Sequence, residues 1–455
     1  MTPKRIRSCA ALAILPFLMS SASASAEGSE VLDLAACVGR ALEASDSLRA
    51  KDAQLDAQNF RAASARIQRY PGLVLSGSYT RSAEVAGGEL DLGGPSVTLP
   101  SPLRDSYAGR LQFQETVYAG GRIGAGVRAA SALASAAAAQ RDAARAAAAG
   151  SAERAYWNLY LAQEAEKAAL DKLRAMESHR RNAQERLAQG AGTRGEVLAW
   201  QLREVQAQDA AGSAATRRTQ AAASLALLLG LPWDTAVEAA PPPQAESYVD
   251  VALDVGAAVR VAQAARADIA EADARAAAQL SVLDQARGAL LPSVQLTGSF
   301  AFLNPNPKAF PQREGFEPYW EAGILASWDL GGLPGNRARI REEEARLRVA
   351  RYGSAVVRRA AEAEVVAAAI ALQDAQRRLS VSAAALALAL ENRRVAADRY
   401  AAGIALDAEL ADAEAALTAA RMDSLQARAA RELAESALRD AAGGSAESLA
   451  AGGRR

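Results

Sequence analysis

The chain repeats its own sequence, and this duplication limits the folds that are open to it. A shift of 221 residues aligns LDLAACVGRALEASDSL (32–48) with LDVGAAVRVAQAARADI (253–269), and YPGLVLSGSY (70–79) with LPSVQLTGSF (291–300). Further along, a shift of 213 residues aligns RLAQGAGTRGEVL (186–198) with RYAAGIALDAELA (399–411). The fold must therefore be built twice on one plan.

Each copy contains the same order of predicted elements. A proline-free helical stretch precedes Pro71 in the first copy and Pro292 in the second, and proline ends a helix. Alternating apolar and polar residues then predict two strands per copy, at about 72–82 and 107–118 and at about 293–303 and 319–330. A glycine pair follows each second strand and is predicted to bend it into a helix: Gly120 and Gly121, then Gly331 and Gly332.

Very long helices are predicted after these glycines. No proline occurs between residues 103 and 231 or between 335 and 455. From Arg122 to Gln189 alone, a helix would be on the order of 100 Å long. Gly190 and Gly403 interrupt the two helical runs as predicted C-caps, and Thr193 to Glu196 reads as a capping box. Repeat one is thus assigned to 27–240, with long helices meeting near 190, and repeat two to 241–455, with long helices meeting near 403.

The composition agrees with long helices that bury little. Alanine supplies about a quarter of the 455 residues, whereas the chain has only 16 Pro, 5 Trp, 10 Tyr and 7 Phe. Alanine is the best helix former, and small side chains let helices pack closely. This composition argues against a thick globular core and equally against disorder.

The N-terminus predicts export from the cytoplasm. Residues 1–26 read as a secretory signal, with basic residues at the start, an apolar run at 10–19 and a small-residue cleavage site at Ala24-Ser25-Ala26. No later stretch reaches the roughly 18 uncharged residues that a transmembrane helix needs. Cys37 is the single cysteine of the mature chain, predicted to be a small buried hydrophobe, and it lies too far from the cleavage site to carry a lipid. Without the signal the net charge is about −3, which argues against a nucleic-acid partner.

The predicted strands have the pattern of a membrane β-barrel. They are about ten residues long with one apolar face and one polar face. Four strands cannot close a barrel, for which about eight is the usual minimum, so several chains must contribute. Aromatic residues in or beside the strands are expected to form interface girdles: Tyr79, Phe113, Phe300, Phe302, Trp320 and Trp328. The alternative is a soluble hairpin that caps a helical rod.

The whole mature chain resembles the outer-membrane efflux proteins of the TolC type. The resemblance rests on the duplicated plan, the proline before each first strand, the glycine pair after each second strand, and the segments YAAGIALDAEL and LAQGAGTRGEVL. It implies a mainly α-helical α+β membrane protein: a homotrimer with a twelve-stranded transmembrane β-barrel, four strands from each chain, joined to a long α-helical barrel. It also implies an outer-membrane location, extension into the periplasm of a Gram-negative type envelope, and a passive exit duct without cofactor. The implied partners are a periplasmic adaptor, a proton-driven or ATP-driven inner-membrane transporter and outer-membrane lipid.

The resemblance also implies a gate at the periplasmic tip. Glu409 and Asp412 match the acidic positions of the constriction ring, where like charges brought close together attract cations. Tyr400 and Glu196 match positions of the network that holds hairpins closed. Relatives often carry an arginine where this chain has Ala405, so Arg194 in the other turn is the candidate replacement. Glu196 is also the expected capping-box partner.

Other functions remain as alternatives with less support. The same duct could serve type I protein secretion rather than small-molecule and drug efflux, and a soluble periplasmic helical adaptor or scaffold is the alternative of another class. The residues do not favour an enzyme or a metal site: the chain lacks HExxH, paired CxxC, GxxxxGK[ST] and GxSxG motifs. His179, the one histidine, lies in the charged run ESHRRNAQER and is interpreted as a solvated surface residue.

Overall fold

The computed structural model consists mainly of four long helices and one four-stranded sheet. It describes residues 30–84, 88–90, 93, 97–98, 103–242, 254–309, 313–402, 404 and 407–444. The predicted signal sequence, Gly403 and Ala405 lie outside these residues. The helices are α1 (Leu34–Ala44), α2 (Asp46–Ile67), α3 (Arg122–Ala188), α4 (Arg194–Leu228), α5 (Val255–Ala265), α6 (Ala267–Gly288), α7 (Leu333–Ala401) and α8 (Asp407–Ala441). The strands are β1 (Glu30–Leu32), β2 (Gly72–Arg81), β3 (Glu89–Leu90), β4 (Val97–Thr98), β5 (Asp105–Tyr118), β6 (Val237–Ala239), β7 (Ser293–Asn304) and β8 (Glu317–Ser327).

The main sheet sets the strands of the two repeats side by side. Its order is β2-β5-β7-β8 and all neighbours are antiparallel, so the second strand of repeat one pairs with the first strand of repeat two. The strands begin and end within about three residues of the predicted positions. β8 ends at Ser327, which leaves Trp328 just beyond the strand that was predicted to contain it. β2 and β8 are the two edges, and each has one side without a partner strand in the described chain.

The helices follow the same order as the strands. α2 leads into β2, β5 leads into α3, α6 leads into β7, and β8 leads into α7. In the half of the helical layer next to the sheet, α2 packs on α3, α3 on α6 and α6 on α7. In the half away from the sheet, α4 packs beside α3 and α8 packs beside α7. The helices therefore form a wall that is one helix thick. For this reason small alanine side chains, rather than a deep apolar core, fill most of the contacts between helices.

Alanines and a few large side chains fill the largest buried cluster, between the two ends of the wall. Tyr156, Trp157 and Leu159 of α3 pack there with Leu225 of α4 and with the buried Cys37, which confirms the interpretation of this cysteine as a buried hydrophobe. A small parallel sheet of β1 and β6 covers the cluster, and the Tyr156 hydroxyl donates to the carbonyl oxygen of Ala240 at 2.6 Å. This sheet ties the start of repeat one to its end.

The helical stretch before each first strand is broken rather than continuous. Ser45 separates α1 from α2, and its hydroxyl accepts a hydrogen bond from the Leu48 amide at 3.3 Å. Arg266 separates α5 from α6 with an extended backbone, and its guanidinium is held by Asp268 and Glu364, each at 2.7 Å. The prediction of one helix was wrong here because alanine-rich sequence continues through both breaks.

Candidate functional site

The two faces of the main sheet differ sharply in chemistry. The register sets Leu75, Leu111, Phe300 and Trp320 side by side across the four strands on one face. Phe302, Phe113 and Tyr79 alternate onto the same face, and Tyr79 lies across from Tyr107 with ring centroids 5.0 Å apart. Trp320 and Ile324 are among the most exposed apolar side chains of the chain, at 72% and 76%. An apolar face this extensive needs a covering medium or partner.

The opposite face is concave and polar. A hollow of about 390 Å³ is lined by Gln112, Gln114, Thr297, Ser299 and Glu321. Gln114 donates to Gln295 at 2.9 Å, and the Ser299 hydroxyl donates to Glu321 at 3.1 Å. Polar side chains therefore line this face of the sheet, as they do on the water-filled side of a membrane barrel.

The glycine pairs at the strand-to-helix bends do not use the same geometry. Gly120 and Gly121 both have positive φ, at 61° and 81°, so the first bend needs residues without a side chain. Gly332 has a helical φ of −77° and is the N-cap of α7, and its amide donates to Asp329 at 2.9 Å. The second bend is therefore made by an Asp-centred turn. Trp328, beside it, donates its indole N–H to the Leu290 carbonyl at 3.1 Å.

The turn between α3 and α4 has the predicted capping. Gly190 has a φ of 76°, and the Ala191 amide donates to the Arg186 carbonyl at 2.8 Å. The capping box is confirmed: the Glu196 amide donates to the Thr193 hydroxyl at 3.2 Å, and the Thr193 amide donates to the Glu196 carboxylate at 3.1 Å. The Glu196 carboxylate is thus already engaged within its own turn, and Arg194 is exposed.

The turn between α7 and α8 carries the two predicted constriction carboxylates. The Ile404 amide donates to the Arg399 carbonyl at 2.9 Å, the same pattern as in the first turn. Glu409 and Asp412 are both exposed on one face of α8, while Leu410 and Ala413 are buried on the other. Glu409 pairs with Arg399 of α7 at 2.5 Å. Both acids therefore point toward solvent from the end of the wall.

Tyr400 of α7 contacts the first helical hairpin, formed by α3 and α4, at Arg186 and His179. Its hydroxyl accepts from Arg186 at 3.5 Å, and its ring is edge-on to His179 with centroids 6.5 Å apart. His179 itself was interpreted as a solvated surface residue, and this was wrong: its side chain is 15% exposed, stacks on Trp200 at 4.6 Å and places Nε2 3.2 Å from Glu414. The signal available in the sequence was the stripe Met176, His179 and Ala183, whose helical spacing marks a packed face.

Neither a membrane-spanning helix nor a metal-binding group is seen in the described part of the chain. No described helix has an apolar stretch long enough to cross a bilayer. The described His, Cys, Asp and Glu side chains do not gather in a set of three or more that could hold a metal ion.

Comparison with solved structures supports the fold over nearly the whole chain. VceC, an outer membrane protein from Vibrio cholerae, superposes with a TM-score of 0.74 at 23% identity, covering 91% of this chain and 97% of that one. The CmeC outer membrane channel from Campylobacter jejuni gives a TM-score of 0.76 at 16% identity, with coverages of 97% and 94%. A membrane protein from Pseudomonas aeruginosa gives 0.74 at 24% identity, with coverages of 90% and 93%. The mainly helical two-repeat fold predicted from the sequence is thereby confirmed.

The family follows from the sequence. No curated protein matches the chain in a sequence comparison. The profile of the outer membrane efflux protein family matches residues 37–231 and 258–444, which together cover most of the chain. This match excludes the soluble adaptor or scaffold alternative. The chain therefore belongs to the outer membrane efflux protein family, whose members are channels of the outer membrane and not enzymes.

Proposed function

We propose that three copies of the chain form a continuous passive duct across the periplasm and outer membrane. The observation that carries this proposal is that the helices lie in the same order as the strands to which they connect. The sheet and the helical layer therefore both end in open edges. β2 and β8 are the edges of the sheet, and α7 is an edge of the helical layer. Since β2 and β8 run antiparallel, β8 of one copy can pair with β2 of the next and extend the sheet without a break.

The side chains at the edges support this head-to-tail assembly. Apolar side chains remain exposed along both edges of the helical wall: Val349, Tyr352, Val356 and Ile370 on α7, Leu198, Leu202 and Val205 on α4, and Phe60 on α2. A head-to-tail contact between two different surfaces generates a closed ring when the rotation closes. Three copies supply twelve strands, which lies in the size range of single barrels that enclose a channel.

The two faces of the sheet fit a membrane barrel. The apolar face with Leu75, Phe300 and Trp320 would meet lipid, and the concave face with Gln112, Ser299 and Glu321 would line water. The helical wall would extend this lumen into the periplasm, because each strand of the main sheet connects directly to one helix of the wall. The predicted repeats, 27–240 and 241–455, would then each form one half of a protomer's share of the wall.

At the far end, the exposed carboxylates of Glu409 and Asp412 would form rings of three in the trimer. Such rings concentrate cations at a constriction, and the like-charged carboxylates within a ring repel one another. We propose that this tip is the gate, and that a periplasmic adaptor and an inner-membrane transporter open it. Small molecules, including drugs, are the proposed cargo. Protein secretion through the same duct is the outcome to be excluded.

Cysteine cross-linking tests the trimer directly. One cysteine in β2, at Ser76 or Ser78, is combined with one in β8, at Glu321 or Gly323, and the buried Cys37 is replaced by Ala. Oxidation of outer membranes should give a covalent trimer on a non-reducing denaturing gel, because each chain bonds to the next. The β2 cysteine alone is the control and should give no covalent trimer. The assembly would be refuted if every cysteine pair gave only monomers on the gel and the protein fractionated as a soluble monomer.

Cargo is tested in cells that lack the gene. Loss of the chain should raise drug susceptibility and complementation should restore resistance if small molecules are exported. Unchanged susceptibility, together with loss of a secreted protein from the medium, would assign the duct to type I secretion instead.

A further inference from the structure

His179 joins the two helical hairpins of one protomer, α3 with α4 and α7 with α8, close to the proposed gate. It lies on α3 nine residues before the helix ends at Ala188, about 13 Å along the axis. Its Nε2 is 3.2 Å from both carboxylate oxygens of Glu414 on α8. The two side chains are 15% and 14% exposed, so the pair is largely withdrawn from water.

Aromatic packing fixes the orientation of the imidazole. The ring stacks on Trp200 of α4, with centroids 4.6 Å apart, and Tyr400 of α7 meets it edge-on at 6.5 Å. Nδ1 is buried and has no hydrogen-bond partner among the described residues, so Nε2 makes the polar contact of the ring. All four helices of this end of the wall therefore meet at His179, and its one polar contact reaches across to the second hairpin.

The contact lies on the same helical segment as the predicted constriction acids. Glu414 follows Asp412 by two residues and Glu409 by five, a rise of about 8 Å along α8. A helix is stiff over this length, so anchoring Glu414 to α3 sets the direction of the segment that carries both acids. We propose that His179 is a positioning residue of the gate, which holds α8 against α3 in the closed duct. This inference rests on the proposed function.

Charged groups from the neighbouring helices surround the pair. On α7, Arg393 lies 4.0 Å from Glu414; on α4, Arg203 lies 4.6 Å from the Trp200 ring centre, and Glu204 is paired with Arg180 of α3. On α3, Arg186 donates to the Tyr400 hydroxyl. The Glu414 carboxylate is therefore held between the His179 ring of α3 and the Arg393 guanidinium of α7. Loss of the His179 contact removes the side of this arrangement that ties α8 to the first hairpin.

Single-channel recording of the purified full-length trimer tests this role. His179→Ala should raise the conducting fraction severalfold, because the contact that holds α8 against α3 is lost. His179→Gln keeps a side-chain donor for Glu414, so it should restore most of the closed fraction. Glu414→Ala should open the duct as His179→Ala does, and the double variant should open it no further than either single variant. Arg181→Ala, an exposed neighbour on α3, is the matched control and should retain the original conducting fraction.

The outcomes separate this inference from the proposed function. If the unmodified protein forms no conducting trimer, the proposed function fails. If it conducts, and Glu409→Ala with Asp412→Ala alters cation block while His179→Ala keeps the original conducting fraction, the proposed duct stands and the role of His179 is wrong. Should His179→Ala fail to assemble, Glu414→Ala decides alone, since a conducting fraction unchanged from the original would overturn the proposal.

Discussion

Gly120 and Gly288 touch backbone to backbone where the first strand-to-helix bend meets the end of α6. A Cβ atom on Gly120 would lie 2.4 Å from the Gly288 carbonyl oxygen, and a Cβ on Gly288 would lie 2.4 Å from the Gly120 carbonyl oxygen. The obstructing atoms are backbone, which cannot swing aside as a side chain can. This contact joins repeat one to repeat two at the level where the sheet meets the helices.

Substituting either glycine should therefore destabilise the protein. Gly120→Ala adds a Cβ against a carbonyl and also strains a residue with φ of 61°, so we expect a loss of about 2–4 kcal/mol in the free energy of unfolding. Gly288→Ala should lose a comparable amount through the clash alone. The measurement is the thermal or denaturant unfolding of the helical signal in detergent.

Gly39→Ala provides the control for these substitutions. Gly39 lies within α1 with nothing near its would-be Cβ, so alanine should stabilise the helix by up to about 1 kcal/mol. If Gly120→Ala and Gly288→Ala unfold like Gly39→Ala, the close approach is not part of the assembled protein.

The repeat and the strand positions could be predicted because they depend on local residue types. Proline at 71 and 292 and the alternation after it limit where a strand can start, and Gly190 with Thr193 marks a helix end. The pairing of β5 with β7, in contrast, joins residues nearly 200 positions apart, and no local pattern encodes it. The three-residue strands β1 and β6 were missed because they are too short to show a period.

The candidate site was less predictable than the fold, since it depends on contacts between hairpins. The capping role of Glu196 was predicted correctly because both partners lie within four residues. His179 was misread because its charged neighbours in sequence occupy other faces of the helix, and its true neighbours, Trp200 and Glu414, come from other helices. A gate built on contacts between chains is harder still to predict from the sequence.

Glu196 has two proposed uses, and two substitutions separate them. Glu196→Gln keeps an acceptor for the Thr193 amide, so the capping box and the stability of the hairpin should be almost unchanged. Thr193→Ala should cost about 1 kcal/mol of stability through loss of the cap. If Glu196 also serves the gate by its charge, Glu196→Gln should raise the conducting fraction while leaving the melting temperature unchanged. A Gln variant that matches the original protein in both measurements leaves Glu196 with capping alone.

Cys37 should be unreactive in the folded protein. It is fully buried, and burial, with the charge of Asp33 as a smaller cause, raises the pKa of its thiol to about 11. The thiolate is the reactive form, so at pH 8 a maleimide should label Cys37 at least tenfold more slowly in the folded than in the unfolded protein. The control is Ser380→Cys in a Cys37→Ala background, where the position is exposed on α7 and labelling should be rapid in both states. Rapid labelling of folded Cys37 would mean that the cluster around Tyr156 opens readily.

The constriction rings are tested by removing both acids. In the trimer, Glu409→Ala with Asp412→Ala would replace six carboxylates at the narrowest point by methyl groups, so block by divalent or polyvalent cations should weaken at least tenfold. Glu409→Ala also frees Arg399, its partner at 2.5 Å, and Arg399→Ala reports that loss separately. The effect should follow the number of carboxylates removed: Arg399→Ala should leave cation block intact, and each single acid variant should weaken it in part. If the double variant shows the same cation block and the same single-channel current as the original protein, Glu409 and Asp412 belong to a solvated helix face and the constriction lies elsewhere.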